Sequence, residues 1–177
     1  AFKKDGSSVT GFPVIVGKYP MSPTLSDLDE NGTMEIILGT RTGQAYVYKG
    51  DGTVYPGWPK AMDRYVGASA SAGDVNADGV MDVVMESRNL LYVWNKDGQL
   101  LPGFPFSILD SLVGSNSYSA PVLVDLTGDG KLEIVFCSHS DVTNAGGIIY
   151  AVKHDGTNLP GFPKTVPNWI YGAPIVA

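Results

Sequence analysis

Asp27-Leu28-Asp29-Glu30-Asn31-Gly32-Thr33-Met34-Glu35 decides the fold, because this acidic stretch comes back twice. It returns as Asp74-Val75-Asn76-Ala77-Asp78-Gly79-Val80-Met81-Asp82 and as Asp125-Leu126-Thr127-Gly128-Asp129-Gly130-Lys131-Leu132-Glu133, at spacings of 47 and 51 residues. A second marker keeps the same beat. Asp-Gly pairs at Asp5, Asp51, Asp97 and Asp155 lie 46, 46 and 58 residues apart, and each leads into a glycine-aromatic-proline triplet ending at Pro13, Pro59, Pro105 or Pro163. Self-similarity at a period of 20 to 50 residues is the signature of a repeat architecture.

Outward from the first acidic loop, the apolar runs predict strands over 22–26, 34–39 and 44–49, and a fourth around 54–58. Asp-Gly between alternating apolar residues is a strong hairpin signal and places the turn between the third and fourth strands. Four short antiparallel strands per period describe the blade of a β-propeller. The expected fold is therefore all-β. The chain reads as a single propeller segment, with a half blade over 1–18, blades over 19–65, 66–116 and 117–168, and the first strand of another over 169–177. Propellers close with roughly 4 to 8 blades, so the remaining blades are expected from the same longer chain or from other copies.

Composition agrees with a globular β-protein: 44% hydrophobic and 17% charged, with 22 glycines and 12 prolines. No apolar run is long enough to span a membrane as a helix. The one cysteine, Cys137, sits in the apolar run Leu132-Glu133-Ile134-Val135-Phe136 and reads as a small core residue. A net charge of -6 argues against nucleic-acid partners and anionic membrane surfaces, which select basic patches.

The acidic surplus gathers in the loops, whose pattern is D-x-[DNT]-x-[DN]-G-x-x-[DE]. Side-chain oxygens at positions 1, 3 and 5 converge on one side of a tight turn. Glycine at position 6 lets the backbone reverse so that the carbonyl of position 7 turns inward, and the acid at position 9 closes the cage. The first site would comprise Asp27, Asp29, Asn31, Thr33 and Glu35; the second Asp74, Asn76, Asp78, Val80 and Asp82; the third Asp125, Thr127, Asp129, Lys131 and Glu133. An all-oxygen set without His or Cys selects a hard cation, calcium before magnesium and not zinc. The first six positions follow the EF-hand, but there the last acid stands at position 12 between helices, and here it stands at 9 between strands.

With Ala120-Pro121-Val122-Leu123-Val124-Asp125-Leu126 and Ala173-Pro174-Ile175-Val176, these loops make the chain similar to the FG-GAP repeats of integrin α-subunit propellers and their bacterial relatives, often called VCBS repeats. The resemblance implies three bound calcium ions, held by the side chains of positions 1, 3, 5 and 9 and the carbonyl of position 7. Glu35 and Glu133 stand where the family more often has Asp, and Thr127 is a weaker ligand than Asp or Asn, so the third site is expected to be the loosest.

Extra residues of the third unit, around 106–118 and 138–147, fall at the end of the blade opposite the acidic loops. Ser107, Asp110, Asn116, Tyr118, His139, Asp141 and Asn144 are polar candidates for recognition there. Phe12, Trp58, Phe104 and Phe162, each before its proline, read as aromatics that end the fourth strand and pack between blades; in a lectin-like reading Trp58, Tyr65, Tyr118 and Trp169 are candidate platforms for a sugar. His139 and His154 lie in no catalytic motif, so a non-catalytic module is expected. Three functional readings stand side by side: an extracellular or cell-surface interaction and adhesion scaffold, a lectin-like propeller, and an accessory propeller of a secreted enzyme. The partner is a protein or a glycan in each.

Overall fold

The computed structural model describes residues 1–88, 90–108, 115–116, 119–140, 146–168, 170 and 172–175. Its strands are β1 (Thr24–Ser26), β2 (Glu35–Thr40), β3 (Gln44–Tyr48), β4 (Lys60–Ala61), β5 (Ser71–Gly73), β6 (Asp82–Glu86), β7 (Leu90–Asn95), β8 (Phe106–Ser107), β9 (Ser115–Asn116), β10 (Val122–Val124), β11 (Glu133–Ser140), β12 (Gly147–Val152) and β13 (Lys164–Val166). They form three antiparallel meanders, β1-β2-β3-β4, β5-β6-β7-β8 and β10-β11-β12-β13, with β9 added beside β11. The fold is all-β, a series of four-stranded blades. No helix among the described residues is long and apolar enough to cross a membrane.

Each acidic loop closes the first hairpin of its sheet. Ser26 faces Glu35, Gly73 faces Asp82, and Val124 faces Glu133. The residue before position 1 is thus paired with the acid at position 9, which fixes both ends of every loop. At the other end of the sheet the first strand is interrupted. Pro20 bridges Thr40 and Val66 bridges Ser87, ahead of the continuous pairing at Thr24 and Ser71.

The fourth strand lies further along the chain than its predicted place around 54–58. Val54 makes one bridge with Tyr48, and ladder pairing resumes only at Lys60 and Ala61, which face Ala45 and Gln44. The cause is local. Pro56 has no N–H to donate, and Gly57 at φ +87° turns the backbone so that the Trp58 N–H returns to the Tyr55 carbonyl at 3.2 Å. The same turn recurs at Phe12, Phe104 and Phe162. All four aromatic-proline bonds are cis.

The core lies between sheets. On β6, Val83 and Met85 pack with Ile37, Val47 and Trp58 of the first sheet, and Val84 packs with Ile134, Phe136 and Tyr150 of the third. Both faces of the middle strand are thus buried in alternation, as the two-residue period dictates. Trp58 is among these buried residues and donates its indole N–H to the Lys96 carbonyl at 2.8 Å, so it fills a joint between units and offers no open platform. Cys137 is buried, as expected of a core cysteine, and burial pushes its thiol up to about 11.

Glycines seal the joints. A Cβ on Gly57 would lie 2.1 Å from the Asp97 carbonyl oxygen of the next unit, and one on Gly103 2.0 Å from that of Asp155. Gly11 meets Asp51 in the same way at 1.8 Å. The Asp-Gly hairpin of one unit therefore rests on the Gly-aromatic-Pro turn of the one before it. Among the described residues, Gly161 meets no such hairpin.

Candidate metal centres

The loops share one set of backbone hydrogen bonds. At position 1, the Asp27 carboxylate accepts the N–H groups of Asn31 at 3.0 Å and Gly32 at 2.8 Å. Asp74 holds Asp78 and Gly79 at 3.0 and 2.8 Å, and Asp125 holds Asp129 and Gly130 at 3.3 and 2.8 Å. Asp125 also accepts the N–H groups of Gly128 and Thr127, and this set of donors, Gly130 first, lowers its carboxyl below the usual range. Backbone N–H groups favour the ionised form.

Position 5 holds the next turn. Asn31, Asp78 and Asp129 accept the N–H of Thr33, Val80 and Lys131 at 2.8, 2.8 and 2.9 Å. The acid at position 9 reaches back under the loop to the N–H of position 2: Glu35 to Leu28 at 2.9 Å, Asp82 to Val75 at 2.9 Å and Glu133 to Leu126 at 2.8 Å. All three of these acids are buried, at 1%, 0% and 1% exposure. Each uses one oxygen as a brace, leaving the other for a different partner.

The backbone requires left-handed residues at two positions. Gly32, Gly79 and Gly130 adopt φ of +86°, +83° and +83°, and position 4 is left-handed as well, with Glu30 at +56°, Ala77 at +59° and Gly128 at +75°. Only the third loop has the residue that suits position 4.

Asp27, Asp29 and Glu35 each offer a carboxylate oxygen, all within 4.8 Å of one another. In the second loop Asn76 takes the place of Asp29, donating to Asp78 at 2.9 Å. In the third, Thr127 stands there. Burial raises Glu35 above the usual carboxylate range despite the Leu28 N–H, with Asp29 and Asp27 adding to it. Burial also pushes Asp82 up to about 7, helped by Asp78 and Asp74. Its Oδ1 is buried without a hydrogen-bond partner. A carboxylate desolvated beside two others is a costly arrangement, and a cation would relieve it. The three loops share their backbone hydrogen bonds, but among the described residues only the first brings three carboxylates within 4.8 Å of one another; its donor set fits a hard cation.

This segment matches the family model described as FG-GAP-like repeat, over residues 27–85. Residues 27–85 carry an FG-GAP-like repeat. The matched span opens on Asp27 and contains the first two acidic loops. The third loop lies beyond it and keeps the hydrogen bonds that the first two loops make at positions 1, 5 and 9. Among solved structures, the crystal structure of the V. cholerae biofilm matrix protein Bap1 is similar, with 18% sequence identity and a TM-score of 0.43 over 77% of this chain. The chain spans 27% of that protein.

Two contacts around the acidic loops have no counterpart in the motif. Tyr55 donates its hydroxyl to Asp29 at 3.3 Å, and burial with the nearby acids holds the phenol up at about 12. Lys131 brings its ammonium to His154 Nε2 at 3.1 Å, across to the next hairpin. Neither was legible in the pattern, because each partner comes from the third-to-fourth-strand segment, which the motif does not include. Of the recognition candidates opposite the loops, Asp110, Tyr118, Asp141 and Asn144 lie outside the described residues, as does Trp169.

Proposed function

We propose that each of the three loops binds one calcium ion and that the chain is part of an extracellular β-propeller working as a non-catalytic interaction or structural scaffold. The observation that carries this reading is the buried, unpartnered Oδ1 of Asp82, whose carboxyl is raised by burial and by the nearby Asp78 and Asp74 of its loop. A weak oxygen cage of this kind fills at the roughly millimolar calcium found outside cells and stays empty at cytosolic levels, which supports the compartment. A protein or glycan is the partner. Further units of the same repeat would cover the outer faces, where Leu25 is 61% exposed and Ile175 92%, through the glycine joint already used three times.

Differential scanning calorimetry tests the metal. Chelation is expected to lower the melting temperature, and Asp74→Ala with Asp78→Ala to lower it in calcium without any chelator. Equal melting of the wild-type chain with and without chelator would end the calcium reading.

A further inference from the structure

We propose that a tyrosine-arginine pair, repeated in the first two units at the end of the sheets away from the acidic loops, forms a binding site for a carboxylated carbohydrate. This rests on the reading of the chain as an interaction module and names the ligand class of one surface on it.

The pair is set by register. Tyr19 precedes Pro20, the bridge partner of Thr40, and Arg41 follows Thr40; Tyr65 precedes Val66, the bridge partner of Ser87, and Arg88 follows Ser87. The two units thus place the same two residue types at the same two positions. In the first unit the Arg41 N–H donates to the Tyr19 carbonyl at 3.1 Å. In the second, the Arg88 guanidinium lies 5.9 Å from the centre of the Tyr65 ring. Tyr19, Arg41, Thr42 and Tyr65, which stands at the boundary with the next unit, line a single open pocket of about 370 Å³.

Two further observations point to a ligand. Tyr19 is 69% exposed and sits at φ 57°, a conformation that costs a bulky residue energy, and its ring contributes little to the core. The chain has three arginines, Arg41, Arg64 and Arg88, and all belong to this end. Arg64 is held against the turn at Gly43, whose Cβ position lies 3.0 Å from its carbonyl oxygen. A protein of net charge -6 thus places Arg41 in a pocket with Tyr19 and Tyr65, and Arg88 against the Tyr65 ring. Asp63, an acid of the same region, is engaged by the hydroxyls of Ser87 and Tyr92.

The guanidinium fork matches a carboxylate in two parallel hydrogen bonds. A tyrosine presents an apolar face and a polar tip, suited to the C–H face and hydroxyls of a pyranose ring. A uronic-acid unit combines both. An acidic peptide is less suited, since strand addition needs a free backbone edge, and Pro20 and Val66 are already bridged.

The test is titration calorimetry on the calcium-loaded chain with trigalacturonate, its methyl ester and poly-glutamate. Trigalacturonate is expected to bind, the methyl ester not. Arg41→Ala and Tyr65→Ala should each weaken binding at least about tenfold, and Arg41→Lys, which keeps the charge and loses the fork, by an intermediate factor. Arg41→Ala should melt as the wild type does, which separates lost binding from lost folding. Absence of binding, affinity unchanged in both alanine variants, or poly-glutamate binding as tightly as the sugar would overturn the proposal. A calcium-dependent melting shift measured on the same samples reads the metal sites separately.

Discussion

Position 4 of the acidic loops is where single residues conflict most with their backbone. Ala77 sits at φ +59° in the place that Gly128 fills in the third loop. Ala77→Gly is expected to raise stability by about 1 kcal/mol, read from urea unfolding, because relief of left-handed strain exceeds the added chain entropy. Asp82 makes a second prediction. Its carboxyl is raised from 3.8 to about 7 by burial, so between those values the folded protein holds a proton that the unfolded chain has released. Stability of the calcium-free protein should therefore fall as pH rises from about 4 to 7. Calcium requires the ionised form and should offset that loss at the upper end. Unfolding curves across this range with chelator present check the sign, and a rising stability would refute it. The spacing of oxygen donors made the repeated loop itself readable. The brace from position 9 to the N–H of position 2 was not, since a carboxylate in a pattern does not announce which of its oxygens the backbone will take.

Among the elements, the hairpins were legible and the fourth strand was misplaced. Val54-Tyr55 has the right β-formers, but Pro56-Gly57 inserts a turn, and the ladder waits for Lys60. Packing between blades was legible in the aromatic-proline pairs; what the local pattern concealed was that the turn receives the next unit's Asp-Gly hairpin. Gly57→Ala is expected to cost several kcal/mol, well beyond an ordinary substitution, because its Cβ would meet the Asp97 carbonyl oxygen at 2.1 Å. Gly161→Ala carries the same backbone penalty, with φ +90°, but finds only the Lys164 ammonium at 3.9 Å. The difference between the two melting temperatures isolates the joint. Equal effects would mean that backbone conformation alone, and no contact between units, holds these glycines in place.

For the molecule as a whole, calcium is expected to act additively. With a dissociation constant of about 0.1 mM and about 1 mM free ion, a loop would contribute about 1.4 kcal/mol, so removing one, two or three sites by substitution at position 1 should lower stability stepwise, with the smallest step at the third, looser site. The sheets make this possible, since each is packed against its neighbours alone. Such a chain behaves as a line of units coupled pairwise. Its response to mechanical load follows from that. Pulled from its two ends, it would pay out in discrete steps of roughly 150 Å, the extended length of one repeat, and calcium in a loop would set the tension at which its own unit lets go.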